Sequence, residues 1–174
     1  MGISGIDVAV AAFLALKPGA TFEQVAKGLL ISQSTAFKSV QRLQHAGLSP
    51  LEERKTNLLA FLEFVQHGLR YVCPVALGPV RQGVPTAHAG PDLAELIAFG
   101  DDAYVWPYRD GAVRGRSVEP LVPRAAELVT LAPDTYAVLA LLDAVRGGRA
   151  RERNLGMEAL RRHLGVSPMP QFAW

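Results

Sequence analysis

The stretch TFEQVAKGLLISQSTAFKSVQRLQHAGL, residues 21 to 48, decides the fold of the N-terminal part of this chain. Thr21 followed three residues later by Gln24 is a capping-box pattern, in which each side chain can bond the backbone amide of the other residue. The helix that this box opens has one apolar face, formed by Phe22, Val25, Ala26 and Leu29. Ser32 is suited to cap a second helix that runs to about Ala46, where Gly47 ends it in the left-handed conformation. The stretch therefore predicts two short helices joined by a tight turn.

The second of these helices divides into a docking face and polar faces. Ala36, Val40 and Leu43 recur at spacings of four and three residues, so they can pack on the first helix. Gln and Arg side chains can bind adenine and guanine edges in two-point contacts, while hydroxyls and helix N-terminal amides suit phosphate oxygens. Phe37 could contact a thymine methyl group or pack within the protein, and packing is favoured. We predict that this helix binds DNA through Ser32, Gln33, Ser34, Thr35, Phe37, Lys38 and Arg42.

Residues 21–48 resemble the helix-turn-helix of winged-helix bacterial regulators such as the MarR-like repressors. The shared features are a capped helix, a tight turn, the start Ser32-x-Ser34-Thr35, and the finish Arg42-Leu43 followed by Gly47-Leu48. The resemblance implies a sequence-specific DNA-binding transcriptional regulator, most simply a repressor that excludes other proteins from its site.

One departure from those regulators concerns the wing, a β-hairpin that usually follows their second helix within a few residues. Here the residues after Leu48 predict another helix, and strand-like sequence begins only near Leu69. Two interpretations stay open: a wing displaced to residues 69–88, with Arg70 and Arg81 on the DNA backbone, or no wing. Thr21 is a further candidate for contact with the DNA backbone.

The remaining segments predict an α+β protein that is mostly helical. An apolar helix over 6–16 precedes the quoted stretch, and Asn57 can cap a helix that ends at Gly68. The later predictions are strands over 69–76 and 80–87, a short helix over 92–99, a hairpin of 104–106 with 112–118, and helices over 124–131, 134–146 and 151–164, with Asp134 as a cap. We therefore expect a helix-turn-helix domain over 1–66 and an α+β region with short β-hairpins over 67–174, which serves dimerisation, sensing or partner binding.

Composition limits the class of protein. The chain of 174 residues has a net charge of +2 and one cysteine, Cys73, which excludes an intramolecular disulfide and a thiolate zinc site. No apolar segment reaches membrane-spanning length and no basic leader is present, so a cytoplasmic protein without membrane contact is expected. Charge is uneven: residues 51–145 sum to −4, whereas 146–164 sum to +4. The arginines of that second segment (Arg146, Arg149, Arg151, Arg153) either contact phosphates or form a solvated helix.

Catalytic patterns are weak in this sequence. The four histidines are scattered without metal-ligand spacing, and no phosphate-binding glycine loop occurs. Thr86 and His88 could line a pocket, but nucleophilic catalysis there needs a carboxylate beside them. We expect no enzymatic activity, no cofactor and no metal.

Double-stranded DNA and a second copy of the chain are the expected partners. One recognition helix reads only a few base pairs, so a homodimer on a palindromic site is the simplest arrangement. The apolar first helix, with Val8, Val10, Phe13 and Leu14, and the terminal helices are the expected dimer surfaces. The alternative is an antitoxin-like module, in which the helix-turn-helix autoregulates while residues 67–174 bind a protein partner.

Overall fold

The computed structural model describes residues 2–98 and 102–167 of an α+β protein that is 53% helical and has one small three-stranded sheet. The helices are α1 Gly5–Leu16, α2 Phe22–Leu29, α3 Gln33–His45, α4 Leu58–His67, α5 Leu69–Val72, α6 Leu128–Leu131, α7 Pro133–Gly147 and α8 Ala150–His163. The strands are β1 Val80–Thr86, β2 Tyr104–Pro107 and β3 Val113–Ser117, and short 3₁₀ turns cover Ala87–Ala89 and Ala125–Glu127. Both expected regions contribute to one hydrophobic core, which extends from Val8 to Leu164.

The first helix, α1, is the centre of the N-terminal half. Every residue from Asp7 to Leu14 is buried, because α1 packs against α2 and α3 and also against α7. The expectation that Val8, Val10, Phe13 and Leu14 form a dimer surface is therefore wrong: the apolar circumference of α1 is used within one chain.

The caps predicted for α2, α3 and α4 are all present. The Gln24 amide N–H donates to Thr21 Oγ1 at 3.1 Å, and the Thr21 N–H donates to Gln24 Oε1 at 2.8 Å. Asn57 caps α4, and Gly47 ends the turn after α3 with a φ of 78°. Close packing of α2 on α1 depends on Gly28, where a methyl group would overlap the Phe13 ring.

The sheet differs from the predicted hairpin. β1 pairs antiparallel with β3 over Val80–Gly83 and with β2 over Gly83–Thr86, whereas β2 and β3 pair in parallel. β1 changes partner at Gly83, where any Cβ would overlap the Trp106 backbone. The turn at Asp110-Gly111 is present. After it, β3 pairs with the Val80–Gly83 half of β1 and does not run back antiparallel along β2.

Two further local predictions are wrong. Residues 69–76 are not a strand: Leu69–Val72 form α5, because Leu69 is buried in the core, and Pro74 lacks the N–H that a strand ladder needs. Residues 91–96 form successive turns rather than a helix, and Phe99 lies outside the described residues. A displaced wing built from residues 69–88 therefore does not form as a hairpin.

The C-terminal half is organised by α7, which is buried from Thr135 to Arg146 and packs against α8, the sheet and α5. Pro133 is its first residue and follows Ala132, so Asp134 lies in the first turn and is not the cap. The buried carboxylate of Asp143 on α7 accepts hydrogen bonds from Thr86 Oγ1 (2.6 Å), Trp106 Nε1 (2.7 Å) and Arg146 Nε (2.8 Å). The bonds from Thr86 and Trp106 join the sheet to α7.

Candidate nucleic-acid interface

The outward face of α3 is polar and contains no acidic residue. Ser34, Lys38, Gln41 and His45 follow one another at spacings of four, three and four residues, and all are exposed. The opposite face docks on α1 and α2 through buried residues: Ala36, Ser39, Val40 and Leu43. The sequence therefore folds into a helix held on one side and open to solvent on the other.

The N-terminal end of α3 is also exposed. Ser32 Oγ accepts the Thr35 N–H at 3.0 Å, and the two hydroxyl oxygens lie 2.8 Å apart. Gln33 and Ser34, the first two residues of α3, are exposed beside this cap. Their orphan backbone amides and the positive end of the helix dipole suit an anionic oxygen.

Phe37 lies at the border of the outward face. Its ring meets the ring of Phe22 on α2 edge-on, with the centroids 5.4 Å apart, yet 46% of the residue is exposed. The Arg54 guanidinium lies 5.4 Å from the Phe22 centroid and extends this contact. Phe37 thus packs within the protein, as preferred from the sequence, and still presents half its surface to solvent.

Arg42 does not lie with the other predicted residues. Its Nη2 lies 2.7 Å from Asp7 Oδ1 and its Nε lies 2.9 Å from Asp7 Oδ2, so the guanidinium is turned back towards α1. Ser39 Oγ donates to the same carboxylate at 2.6 Å. Burial alone would raise the pKa of Asp7, but the hydrogen bonds from Arg42, Ser39 and Ser4 outweigh it and hold that pKa below its ordinary value. The assignment of Arg42 to base reading is therefore corrected: it joins α3 to α1.

The predicted backbone contacts are distributed over different elements. Thr21 is exposed at the N-terminal end of α2, the helix that precedes α3 in the chain. Arg70 lies on α5 and Arg81 on β1, and both of these elements pack against α7, whereas α3 packs against α1 and α2. The structure does not group these two arginines with α3.

A compact loop, residues 48–57, follows α3 in the place where a wing would stand. Its ends are joined by the Asn57 N–H, which donates to the Leu48 carbonyl at 2.9 Å, and Ser49 Oγ donates to the Lys55 carbonyl at 2.6 Å. The Gly19 N–H donates to the Arg54 carbonyl at 2.7 Å, which ties the loop to the turn between α1 and α2. Loop 48–57 is thus closed and fixed, but it contains no strand.

The four arginines of the predicted C-terminal cluster lie in different environments. Arg146 is buried and binds Asp143, the Cys73 carbonyl and the Glu119 carbonyl, so its assignment to the basic cluster is wrong. Arg149 and Arg151 are exposed, while Arg153 is half-buried and bonds the Gly148 carbonyl.

The enzymatic candidates lie in a closed part of the molecule. Thr86 does meet a carboxylate, but its hydroxyl is fully buried and donates to Asp143. His88 is buried too, with Nε2 2.8 Å from the Asp102 carbonyl oxygen. Across residues 2–98 and 102–167, no cluster of His, Cys, Asp and Glu could hold a metal ion, and no helix is long and apolar enough to cross a membrane.

Sequence reasoning missed three residues. Gln41 and His45 belong to the outward face, and the helical spacing from Ser34 and Lys38 was the signal that could have identified them. Asp7 carried no such signal, because its partner Arg42 lies 35 residues away in the sequence.

Comparison of the chain with protein-family models, with known proteins and with solved structures finds no match in any of the three.

Proposed function

We propose that this protein binds double-stranded DNA through α3 and regulates transcription at the bound site. The single observation that carries the proposal is the exposed, acid-free face of α3, whose other side is fixed on α1 and α2. A helix-turn-helix needs this division, because its second helix must enter the major groove while its back stays packed. A cytoplasmic location is part of this proposal.

Base reading is assigned to Gln33, Lys38 and Gln41. Each is exposed, and amide or ammonium side chains can bind base edges in the major groove. Lys38 forms no ion pair with any described residue, so its charge is available to DNA. By contrast, Lys27 on α2 is held by Glu23 at 2.7 Å.

Phosphate contact is assigned to the start of α3 and to Thr21. Ser32 and Ser34 present hydroxyls beside unpaired helix N-terminal amides, which is a favourable site for a phosphate oxygen. Loop 48–57 adds Arg54 and Lys55 next to the α1–α2 turn, although Lys55 is paired with Glu53. Loop 48–57 has a net charge of zero. It would therefore help to orient the protein on DNA and add little to the affinity.

The regulatory unit is proposed to be a homodimer on two half-sites. One α3 reaches few bases, and a two-fold dimer doubles the contacts over half-sites about 10–10.5 base pairs apart, or a multiple of that spacing. The dimer surface has to lie outside α1, which is fully packed within one chain.

The proposal is tested by selecting bound duplexes from a randomised DNA library and titrating the enriched duplex by fluorescence anisotropy. We expect one enriched sequence, bound roughly a thousandfold more tightly than a scrambled duplex. Gln33→Ala should weaken binding by about 1–3 kcal/mol and relax the preference at one base position. Lys38→Ala should also weaken binding and relax the preference at a different base position, because Lys38 is assigned to a base edge.

The matched control is Arg109→Ala, which removes one exposed positive charge in the turn between β2 and β3. It should leave affinity and base preference nearly unchanged. A library without an enriched sequence, or folded Gln33→Ala, Lys38→Ala and Gln41→Ala variants that bind as the parent does, would exclude α3 as a DNA-reading helix. Light scattering and the footprint length test the dimer separately.

A further inference from the structure

A cavity of about 650 Å³ lies between the C-terminal end of α4, one face of α8 and α7. Its apolar lining consists of Val145 on α7, Met157 on α8 and Val166 beyond the end of α8. The Val166 N–H donates to the Arg161 carbonyl at 2.9 Å, which holds the chain in place there. Polar side chains, three of them arginines, complete the lining. Apolar walls with a few polar groups are typical of a small-molecule site.

Two of the three arginines in this cavity have no carboxylate partner. The charged residues of the lining are Arg153, Arg161, Arg162 and Glu158. The Glu158 carboxylate is taken by Arg162, whose Nη1 lies 3.3 Å from Oε1. Arg153 and Arg161 are half-buried, and neither forms an ion pair with any described residue. Arg153 Nη1 donates to the Gly148 carbonyl at 3.2 Å, so this side chain is already oriented.

Acidic residues that neighbour the lining in the sequence do not line the cavity. Glu152 accepts the Arg149 N–H at the start of α8, and Asp143 is buried against Arg146. Glu63 on α4 lines a neighbouring cavity. The cavity therefore has an excess of positive charge, which favours an anionic ligand.

The positions of these side chains along α8 restrict the shape of such a ligand. Arg153, Met157 and Arg161 follow one another at spacings of four residues, so they lie along one face of the helix. Arg153 and Arg161 are about 12 Å apart along the helix axis, because each residue advances it by about 1.5 Å. Met157 lies midway between them. This order, cation, apolar side chain and cation, matches a molecule with two anionic ends and an apolar middle.

We propose that this cavity binds a small aliphatic dicarboxylate. One carboxylate pairs with Arg153 and the other with Arg161, while the methylene chain lies on the apolar lining. A guanidinium bonds a carboxylate through two parallel N–H donors, so each planar end of the ligand meets a matching planar group. The proposal does not rest on DNA binding by α3.

Two other occupants fit the cavity less well. A phosphate of the DNA backbone would use an arginine, but it would leave Val145 and Met157 without an apolar contact. A monocarboxylate would cover the apolar lining and leave one of the two arginines without an anion.

The test is isothermal titration calorimetry of the full chain with adipate, the six-carbon dicarboxylate. Three molecules of the same chain length are the comparison: hexanoate has one carboxylate, galactarate has a hydroxyl group on each middle carbon, and hexane-1,6-diamine has two positive ends. We expect adipate to bind, hexanoate and galactarate to bind at least about tenfold more weakly, and the diamine not to bind. Loss of one charged hydrogen-bonded contact accounts for a tenfold difference.

Arg153→Gln and Arg161→Gln should each weaken adipate binding about tenfold or more, for the same reason. Arg161→Gln should also bind adipate and hexanoate alike, because the second carboxylate no longer has a partner; a variant that merely disturbed the cavity would weaken both ligands. The matched control is Arg151→Gln, which changes an exposed arginine of α8 that does not line the cavity. It should bind adipate as the parent does, and circular dichroism verifies that every variant is folded.

Four results would overturn the proposal. Adipate may fail to bind the folded chain, or hexanoate or galactarate may bind as tightly as adipate. Either folded variant, Arg153→Gln or Arg161→Gln, may bind adipate as the parent does. Finally, Arg161→Gln may lower affinity for duplex DNA and leave adipate binding unchanged, since Arg161 would then be a nucleic-acid contact.

Discussion

The contact between Asp7 and Arg42 should be a major determinant of stability, because it joins α1 to α3 through a buried charge. The Asp7 side chain is fully buried, whereas the Arg42 side chain is 22% exposed. Removal of one partner from a buried ion pair costs about 3–5 kcal/mol, since the other charge stays buried and unpaired. Arg42 retains some access to water, so we expect the lower end, about 3 kcal/mol, for Asp7→Ala.

The assay is a double-mutant cycle with Asp7→Ala, Arg42→Ala and the combined variant, each measured by urea denaturation. We expect a coupling free energy of about 2–3 kcal/mol, as for hydrogen bonds between charged groups in contact. Glu23→Ala and Lys27→Ala form the control cycle, because this pair is largely exposed and should show a much smaller coupling free energy than Asp7 and Arg42.

The same contact predicts how stability depends on pH. The folded-state pKa of Asp7 lies below its ordinary value of 3.8, so its stabilising contribution is complete above about that pH. The contribution is lost as the pH falls through the folded-state pKa, and Asp7→Ala should remove this part of the acid sensitivity.

Two results would contradict this account. One is a coupling free energy near zero with both single variants folded. The other is an Arg42→Ala variant of unchanged stability that has lost affinity for the selected duplex, which would return Arg42 to the DNA interface.

Three further predictions concern packing and buried groups. Gly28→Ala should destabilise the protein by about 1–3 kcal/mol in urea denaturation, because the new methyl group overlaps the Phe13 ring; an unchanged midpoint would show that the ring moves freely. Asp143→Ala should cost about 3–5 kcal/mol, since it leaves the buried Arg146 without its carboxylate, and a smaller loss than that of Asp7→Ala would contradict this. Burial raises the pKa of Tyr136 to about 12, so the folded protein keeps its hydroxyl neutral. The resulting stabilisation is complete below the ordinary pKa of 10.0 and is lost as the pH rises towards 12. Tyr136→Phe should abolish this alkaline loss of stability in thermal denaturation.

Local chemistry made the N-terminal helices predictable. The Thr21–Gln24 box, the Ser32 cap and the left-handed Gly47 depend on residues within a few positions, so the sequence is sufficient to place them. The two faces of α3 follow for the same reason, because a helical period assigns Ala36, Val40 and Leu43 to one side.

Predictions failed where distant residues decide. Leu69–Val72 has strand-like composition, but burial of Leu69 against α4 and α7 makes it a helical turn. The predicted hairpin failed because its strands share β1 as a partner, and no local signal in residues 104–118 specifies that pairing.

The sequence by itself determined the helices of the N-terminal half, their caps and the polar character of the outward face of α3, because these depend on neighbouring residues. The tertiary structure alone decided which polar groups remain available to a partner. In the sequence, Arg42 and Arg146 cannot be distinguished from exposed cations such as Lys38 and Arg81. In the fold, Arg42 is bound by the buried carboxylate of Asp7, 35 residues away, and Arg146 by that of Asp143, three residues away. A buried aspartate must be compensated by a nearby cation, and only the folded chain shows which cation lies close enough to do so.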